Sequence, residues 1–417
     1  MPRALLSLAM LAALAGGCRP AATGPIVASL ITTPEPRPLH AAITGPLRAA
    51  TDQGLVRLDR DGQIVAGVAL RWAIVDNGRD YIFRIDPSGA SAETIARRLR
   101  TALHRAPDPL KAVLAPIDSV AAVTATVVEI RLSMPQPDLL VLLARPEFGL
   151  EMGGPLRIGG RDADAVLLRP TGGDEPLASP VLLRVERVGR AVARFAAGHA
   201  RFVSGGTFAD LPVARAAAWP RGALVFDFAT GLFGLVPRPG SAVATDGALR
   251  RALSLAIDRD RIVAAIDAPR LVKATTLAGS IIEPSLPERI GMAQGLLAGH
   301  APIPALRIAM PAGPGARLMF ALLARDWARI GVAAVVVDAK ADADFALIDM
   351  VAPTGSLAAI ACAAAAGCDP ADRLALLDPP YIPIATPVRW SLVDRSLDGF
   401  AENALAAHPL DQLRRAD

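Results

Sequence analysis

The chain has 417 residues, of which 52% are hydrophobic and 20% are charged, which is enough for two or three domains with a large core. Its 44 basic and 40 acidic residues give a net charge of +4, and no block of like charge occurs along the chain. This balance excludes the strongly basic surface typical of nucleic-acid-binding proteins, so no nucleic-acid partner is expected.

The first 18 residues have the features of an export signal. Arg3 supplies a positive charge, Ala4 to Ala15 form an uncharged run of 12 residues, and Ala15-Gly16-Gly17 precedes Cys18. A run of this length is too short to span a bilayer. Small residues before a cysteine resemble the bacterial lipobox, so we predict a signal peptide over residues 1–17 and lipidation of Cys18. An ordinary secretory signal and an uncleaved anchor are the alternatives.

The segment after Cys18 changes from tether to folded chain. Residues 18–40 are rich in Pro, Ala and Thr, which is typical of a tether, and they contain one predicted strand at Ile26 to Ile31. The steps Asp61-Gly62 and Asn77-Gly78 separate short apolar runs and predict hairpins.

Two further elements are predicted before residue 200. Ser91 can cap a helix that runs to Leu103, because Ile95, Leu99 and Leu103 share one face. Farther on, Val181 to Val188 and Ala191 to Phe195 read as two strands of a hairpin that turns at Gly189-Arg190.

The stretch from Thr245 to Ile266 has the clearest helical pattern in the chain. Asp246 can cap a first helix, whose residues Leu249, Leu253, Ala256 and Ile257 lie on one apolar face. Asp258 can cap a second helix that runs to Ile266. Pattern alone therefore predicts a pair of capped core helices.

An α/β unit follows this helix pair. Leu306 to Met310 is a predicted strand, Gly313-Pro314-Gly315 leads into a helix, and Val332 to Val337 is the next strand. The glycine loop contains a proline and lacks the third glycine of a phosphate-binding fingerprint, so it does not predict phosphate binding.

Few residues are candidates for catalysis or for binding a metal. The sequence contains no nucleophile-elbow, zinc-protease or phosphate-loop motif, and its five histidines are scattered without ligand spacing. No cofactor, metal or enzymatic activity is therefore expected. In an oxidising compartment Cys362 and Cys368 are expected to form a disulfide, and free thiols are the alternative.

Several segments in order resemble the family 5 extracytoplasmic solute-binding proteins, the peptide-type and oligopeptide-type receptors of ABC importers. The segments that carry the resemblance are Gly54 to Val65, Asp80 to Ile85, Val127 to Leu132, Leu249 to Arg259, and Tyr381 to Ile384.

The resemblance implies an α/β, two-lobed periplasmic-binding-protein-like fold with mixed sheets and a discontinuous first lobe. It implies a first lobe at 41–240, a second lobe at 241–375, and a return to the first lobe at 376–417. Solute would be enclosed between the lobes. Because Leu249 to Arg259 lies at the start of the second lobe, its charged residues are expected to cap and pack rather than to touch solute.

The resemblance also suggests which residues could contact a solute. Receptors of this type hold a peptide's amino group with an aspartate of the second lobe, and Asp349 and Asp369 are the candidates for that role. Phe228 and Trp390 are candidate apolar walls of the cleft, although both residue types are equally typical of a core.

The function expected from the resemblance is that of a lipid-anchored, monomeric receptor in the periplasm. It would capture a peptide or a similar small polar solute and deliver it to an inner-membrane ABC permease, and only its lipid would touch the membrane. The alternative is a degenerate member of the family that acts as a non-transport envelope lipoprotein, in an interaction or structural role.

Overall fold

The computed structural model describes residues 24–32, 39–172, 179–277, 281–365 and 380–416. The predicted signal peptide, Cys18, Cys368 and Asp369 lie outside these ranges, so their predicted roles stay predictions. Within them, no helix combines the length and the apolar composition that crossing a bilayer requires.

The described residues form mixed α/β structure. The strands are β1 (Ile26–Ile31), β2 (Val56–Leu58), β3 (Ile64–Ala66), β4 (Ala69–Val75), β5 (Asp80–Ile85), β6 (Ile117–Thr124), β7 (Val127–Leu132), β8 (Leu156–Arg161), β9 (Ala165–Pro170), β10 (Val181–Glu186), β11 (Phe202–Thr207), β12 (Leu224–Phe226), β13 (Gly231–Pro237), β14 (Leu306–Met310), β15 (Ala334–Asp338), β16 (Phe345–Val351), β17 (Ile382–Ala385), β18 (Arg389–Val393), β19 (Leu397–Asp398) and β20 (Arg414–Arg415). The helices are α1 (Leu39–Thr51), α2 (Ala92–His104), α3 (Asp108–Leu114), α4 (Leu139–Leu143), α5 (Val188–Ala196), α6 (Leu211–Arg215), α7 (Ala242–Thr245), α8 (Gly247–Ala256), α9 (Arg259–Ile266), α10 (Leu286–Leu297), α11 (Pro314–Ala328) and α12 (Leu357–Ala365).

A seven-stranded mixed sheet draws on three separate stretches of the chain. Its order is β12-β18-β11-β1-β10-β9-β8, with β1 parallel to β10 and β11. The C-terminal β18 lies between β11 and β12 and is antiparallel to both. The first lobe is therefore discontinuous, as the sequence predicted.

A five-stranded mixed sheet, in the order β15-β14-β16-β13-β17, lies beside it. Both faces of its strand β13 are covered, because alternate residues of β13 enter different cores. Phe233 and Leu235 join a core that also contains α8, α9, α11 and one face of the seven-stranded sheet. Leu232 and Val236 join a second core on the opposite face.

The second core contains a smaller, four-stranded antiparallel sheet, in the order β4-β5-β7-β6. Tyr81, Phe83 and Ile85 of β5 point into this core, together with Ile95 and Leu99 of α2. Ser91 caps α2 as predicted, with its hydroxyl accepting from the Thr94 N–H at 3.3 Å. Helix α12 closes the same core, and its Cys362 is buried and disulfide-bonded.

Strand pairing divides the chain differently from the predicted lobe boundaries. The five-stranded sheet begins with β13 at Gly231, ten residues before 241, because β13 pairs with β16 along its whole length. It ends with β17 at Ala385, beyond 375, because β17 is the other neighbour of β13. The four-stranded sheet of 69–132 is separate from the seven-stranded sheet with which the prediction grouped it.

The helix pair at Thr245 to Ile266 has the predicted caps. The Asp246 carboxylate accepts from the Leu249 N–H at 2.9 Å, and the Asp258 carboxylate accepts from the Arg261 N–H at 3.1 Å. Between the helices, the buried Arg259 guanidinium donates to the carbonyls of Ser254, Ala274 and Pro383. These bonds tie the helix pair to β17, so this stretch is architectural.

The predicted hairpin around Gly189-Arg190 is wrong, because the second arm is the helix α5. Val188, Ala191, Val192 and Phe195 recur at helical spacing, and the last three are buried against the seven-stranded sheet. The apolar run is so short that its spacing fits both a strand and a helix, and the glycine within it does not distinguish the two.

The Gly313-Pro314-Gly315 loop has a structural role at the place where the two larger sheets meet. The Gly315 N–H, in the first turn of α11, donates to the Ala209 carbonyl just before α6, at 3.0 Å. A Cβ added at Gly315 would lie 2.0 Å from the Phe208 carbonyl oxygen. Only glycine therefore allows α11 to approach this backbone.

We predict that Gly315→Ala destabilises the protein by about 1–3 kcal/mol or more, because the added methyl group overlaps a backbone atom that cannot rotate away. Gly291→Ala is the matched control, since Gly291 also lies in a helix but has nothing within 4 Å of its added Cβ. The control should gain up to about 1 kcal/mol from helix propensity. Urea unfolding measures both, and equal effects would contradict the close approach.

Asp210 lies at the same junction. Burial raises the pKa of its carboxyl group to about 6, and its hydrogen bond with Thr207 lowers that pKa by a smaller amount. The folded protein therefore keeps a proton on Asp210 at pH values where the unfolded chain has released it. The contribution of Asp210 to the free energy of unfolding therefore falls as the pH rises from about 4 to 6.

We predict that Asp210→Asn raises the melting temperature relative to the wild type, with a difference that grows between pH 4 and pH 7. Asp246→Asn should behave in the opposite way, because the Leu249 N–H lowers the pKa of Asp246 and its stabilisation is present only above the unfolded pKa. Thermal melts across this pH range measure both differences. A pH-independent effect of Asp210→Asn would contradict the burial of its charge.

Candidate functional site

A cavity of about 780 Å³ lies where the seven-stranded and five-stranded sheets meet. Strands β1, β11 and β18 of the seven-stranded sheet form its floor, and the end of β16 borders it at 349–351. Residues of the segments 45–58, 141–149 and 405–411 supply most of the remaining wall. A volume of this size is within the range of small-molecule sites.

One ion pair joins the two larger sheets at this cavity. Arg389 of β18 donates from Nη1 to the Asp349 carboxylate at 2.7 Å and from Nη2 to the Asp349 carbonyl at 3.0 Å. The side chains of Arg389 and Asp349 are only 18% and 15% exposed. Burial raises the pKa of Asp349, and the neighbouring Arg389 acts in the opposite direction.

A second buried pair lies where the chain leaves the seven-stranded sheet. His408 Nε2 lies 3.1 Å from the Asp227 carboxylate, whose other oxygen accepts from the Asn403 N–H. The imidazole packs against Phe400, with 4.6 Å between ring centroids. Because a carboxylate accepts hydrogen bonds, the Nε2–H of His408 donates to Asp227, and Nδ1 of His408 has no hydrogen-bond partner among the described residues.

Three further pairs complete the charged part of the wall. One pair joins the C-terminal segment to the hairpin β2–β3. Each of the other two joins residues that are close together in the chain. The pairs are Arg57–Asp411 at 2.9 Å, Arg145–Glu147 at 3.1 Å and Arg48–Asp52 at 3.5 Å.

The structure brings two of the four predicted contact residues to the cavity. Asp349 borders it but is bound by Arg389. Trp390 also borders it, although its ring is almost fully buried and its Nε1 donates to the Thr207 carbonyl at 2.9 Å. Trp390 is therefore a core residue with one side near the cavity.

The other two predicted residues are not at the cavity. Phe228 is 44% exposed and lies beneath the Arg270 guanidinium, 5.4 Å from its ring centroid, outside the cavity wall. Asp369 lies outside the described residues. Direct contact of any of the four residues with a solute stays a prediction.

Sequence reasoning missed Arg389, His408 and Asp227. Their partners lie 40 and 181 residues away along the chain, so no local motif marks them. The sequence pointed to Arg389 only indirectly, because Arg389 is adjacent to Trp390, a predicted wall of the cleft. Among the described residues, no group of three or more His, Cys, Asp or Glu side chains could hold a metal ion.

The whole fold is similar to solved periplasmic binding proteins. An oligopeptide-binding protein from Borrelia burgdorferi superposes with a TM-score of 0.76 and 15% identity, covering 94% of this chain and 100% of that one. An ABC transporter-associated periplasmic binding protein from Helicobacter pylori, in complex with the peptide STSA, gives a TM-score of 0.72 and 13% identity, covering 94% of this chain and 98% of that one. A Campylobacter jejuni protein in complex with Ni(L-His) gives 0.69 and 15%, covering 94% and 99%.

These likenesses confirm the predicted two-lobed periplasmic-binding-protein fold. At such identities they establish the fold alone. No family model matches the sequence, and no curated protein matches it either.

Proposed function

We propose that this chain, which has the fold of the family 5 solute-binding proteins, is a solute-binding receptor of an ABC importer. Its solute would be a peptide or a similar small polar molecule, held in the cavity between the two larger sheets. The observation that carries this proposal is the position of the cavity at the junction of the sheets, because lobe closure around such a junction can enclose a ligand.

Local chemistry supports binding rather than catalysis at this cavity. Its carboxylates each accept from a guanidinium or an imidazole, and the side chains between these pairs are mostly apolar. A catalytic acid or base needs a free position beside the reacting atom. The paired groups instead provide a fixed, shaped wall.

The location that fits this function is the cell envelope. Export would follow from the signal peptide, and lipid on Cys18 would hold the receptor near an inner-membrane permease. Only seven residues separate Cys18 from the start of β1 at Ile26, so an anchored protein would stay close to the bilayer. We propose that the receptor acts as a monomer.

A thermal-shift screen against peptides and neutral or charged small solutes tests the proposed function. A true ligand at about a hundred times its Kd should stabilise the protein by roughly 2.7 kcal/mol. Val141→Trp should weaken this shift, because the partly exposed Val141 borders the cavity and an indole projecting into it would take space from the ligand.

Val123→Trp is the matched control, since Val123 is 57% exposed on β6 and outside the cavity wall. It should keep the full shift. A shift that Val141→Trp leaves at full size would place the ligand elsewhere. No shift with any solute would contradict the receptor and favour a non-transport envelope lipoprotein.

The proposed anchor has a separate test. Cys18→Ser should abolish incorporation of labelled fatty acid and move the protein from the membrane fraction to the soluble periplasmic fraction. The ligand-induced thermal shift should be unchanged, because the described residues that line the cavity all lie between Ala28 and Asp411. Retention in the membrane fraction after the substitution would contradict lipidation at this residue.

A further inference from the structure

Among the described residues, each ionisable side chain of the cavity wall lies beside one of the opposite type. The wall contains five carboxylates, four guanidiniums and one imidazole, and these form five pairs: Asp349–Arg389, Asp227–His408, Asp411–Arg57, Glu147–Arg145 and Asp52–Arg48. A charged group of a ligand would therefore meet basic and acidic side chains that already have a neighbour of opposite type.

The two most buried of these pairs are Asp349–Arg389 and Asp227–His408. Asp349 and Arg389 make two hydrogen bonds, one of them to a main-chain carbonyl, so Arg389 is fixed in place. His408 and Asp227 are 4% and 2% exposed at their side chains. A ligand ammonium or carboxylate that displaced one member of either pair would leave the other member buried without its partner, which is strongly unfavourable.

The rest of the wall favours an uncharged ligand. Leu30, Val56, Leu183 and Leu405 supply apolar surface, and the hydroxyl-bearing residues Ser204 and Ser391 supply polar groups without charge. A solute with hydrogen-bonding groups but no ionised end can use both without disturbing a pair.

We propose that this cavity selects a solute without ionised groups, such as a peptide blocked at both ends, and that the Asp349–Arg389 pair sets this selectivity. The Asp349 carboxylate, which could otherwise bind a ligand's ammonium group, is bound by Arg389. The Arg389 guanidinium, which could otherwise bind a ligand's carboxylate, is bound by Asp349. This inference rests on the proposed function and narrows its ligand class.

Tri-leucine in four terminal forms provides the matched ligands. The free peptide is a zwitterion, the amide is a cation, the N-acetyl peptide is an anion, and the N-acetyl amide is neutral. Isothermal titration against the full chain should give at least tenfold tighter binding for the neutral form than for each of the other three. Equal or tighter binding of any ionised form to the wild type would overturn the inference and leave the receptor function intact.

Two single substitutions test the role of the pair. Arg389→Gln frees the Asp349 carboxylate and should raise the affinity for the cation at least tenfold. Asp349→Asn frees the Arg389 guanidinium and should do the same for the anion. The double variant leaves neither charge and should show neither gain, so it controls for a general change in the cavity.

Circular dichroism establishes which variants fold. If the single variants fold but show no gain in affinity for the matching ion, the role of the pair is overturned. If neither variant folds, the preference of the wild type between neutral and ionised tri-leucine decides. If no form of tri-leucine binds, the charge of the solutes that stabilise the protein in the wider screen decides instead, with ionised ligands overturning the inference. An absence of any stabilising solute removes the proposed function and this inference together.

Discussion

The contact between Asp349 and Arg389 is the interaction on which the junction of the two larger sheets depends. Asp349 lies in β16, opposite Phe233 of β13, and Arg389 begins β18 of the other sheet. Their 2.7 Å ion pair therefore links two sheets that are otherwise joined here by short crossing segments. Because both side chains are largely buried, loss of either partner would leave a charge with little access to water.

The surrounding structure keeps these two residues together. The chain passes from one sheet to the other at 227–230 and returns at 386–388, and Asp227 at the first crossing is held by Asn403 and His408. On the far side of the junction, Gly315 lets α11 meet Ala209 directly. Close backbone approach, buried pairs and a shared core thus position the cavity between the sheets.

Local features could be predicted from the sequence, and features that depend on distant residues could not. The caps at Asp246 and Asp258 and the helix after Gly315 follow from neighbouring residue types, and the structure has all three. The family resemblance predicted the two-lobed fold, which the comparison with solved structures confirms. The run at Val188 to Phe195 was misassigned because so short an apolar stretch fits both a strand and a helix until its packing partner is known.

The candidate site was predicted only in part for the same physical reason. Asp349 could be nominated as an acidic residue of the second lobe, but its partner lies 40 residues away, and a carboxylate held by a guanidinium has different chemistry from a free one. His408 and Asp227 are 181 residues apart, and neither has a local motif. Strand pairing, which assigns β13 and β17 to the five-stranded sheet, is also long-range, and the lobe boundaries at 241 and 375 stay a prediction.

A double-mutant cycle on the unfolding free energy tests the junction most directly. Asp349→Asn, Arg389→Gln and the double variant are compared with the wild type by urea unfolding at neutral pH. A contact that joins the sheets predicts that the double variant loses less stability than the sum of the single losses, by about 1–3 kcal/mol. Additivity of the two single losses to within about 0.3 kcal/mol would show that Asp349 and Arg389 act independently and would contradict this junction.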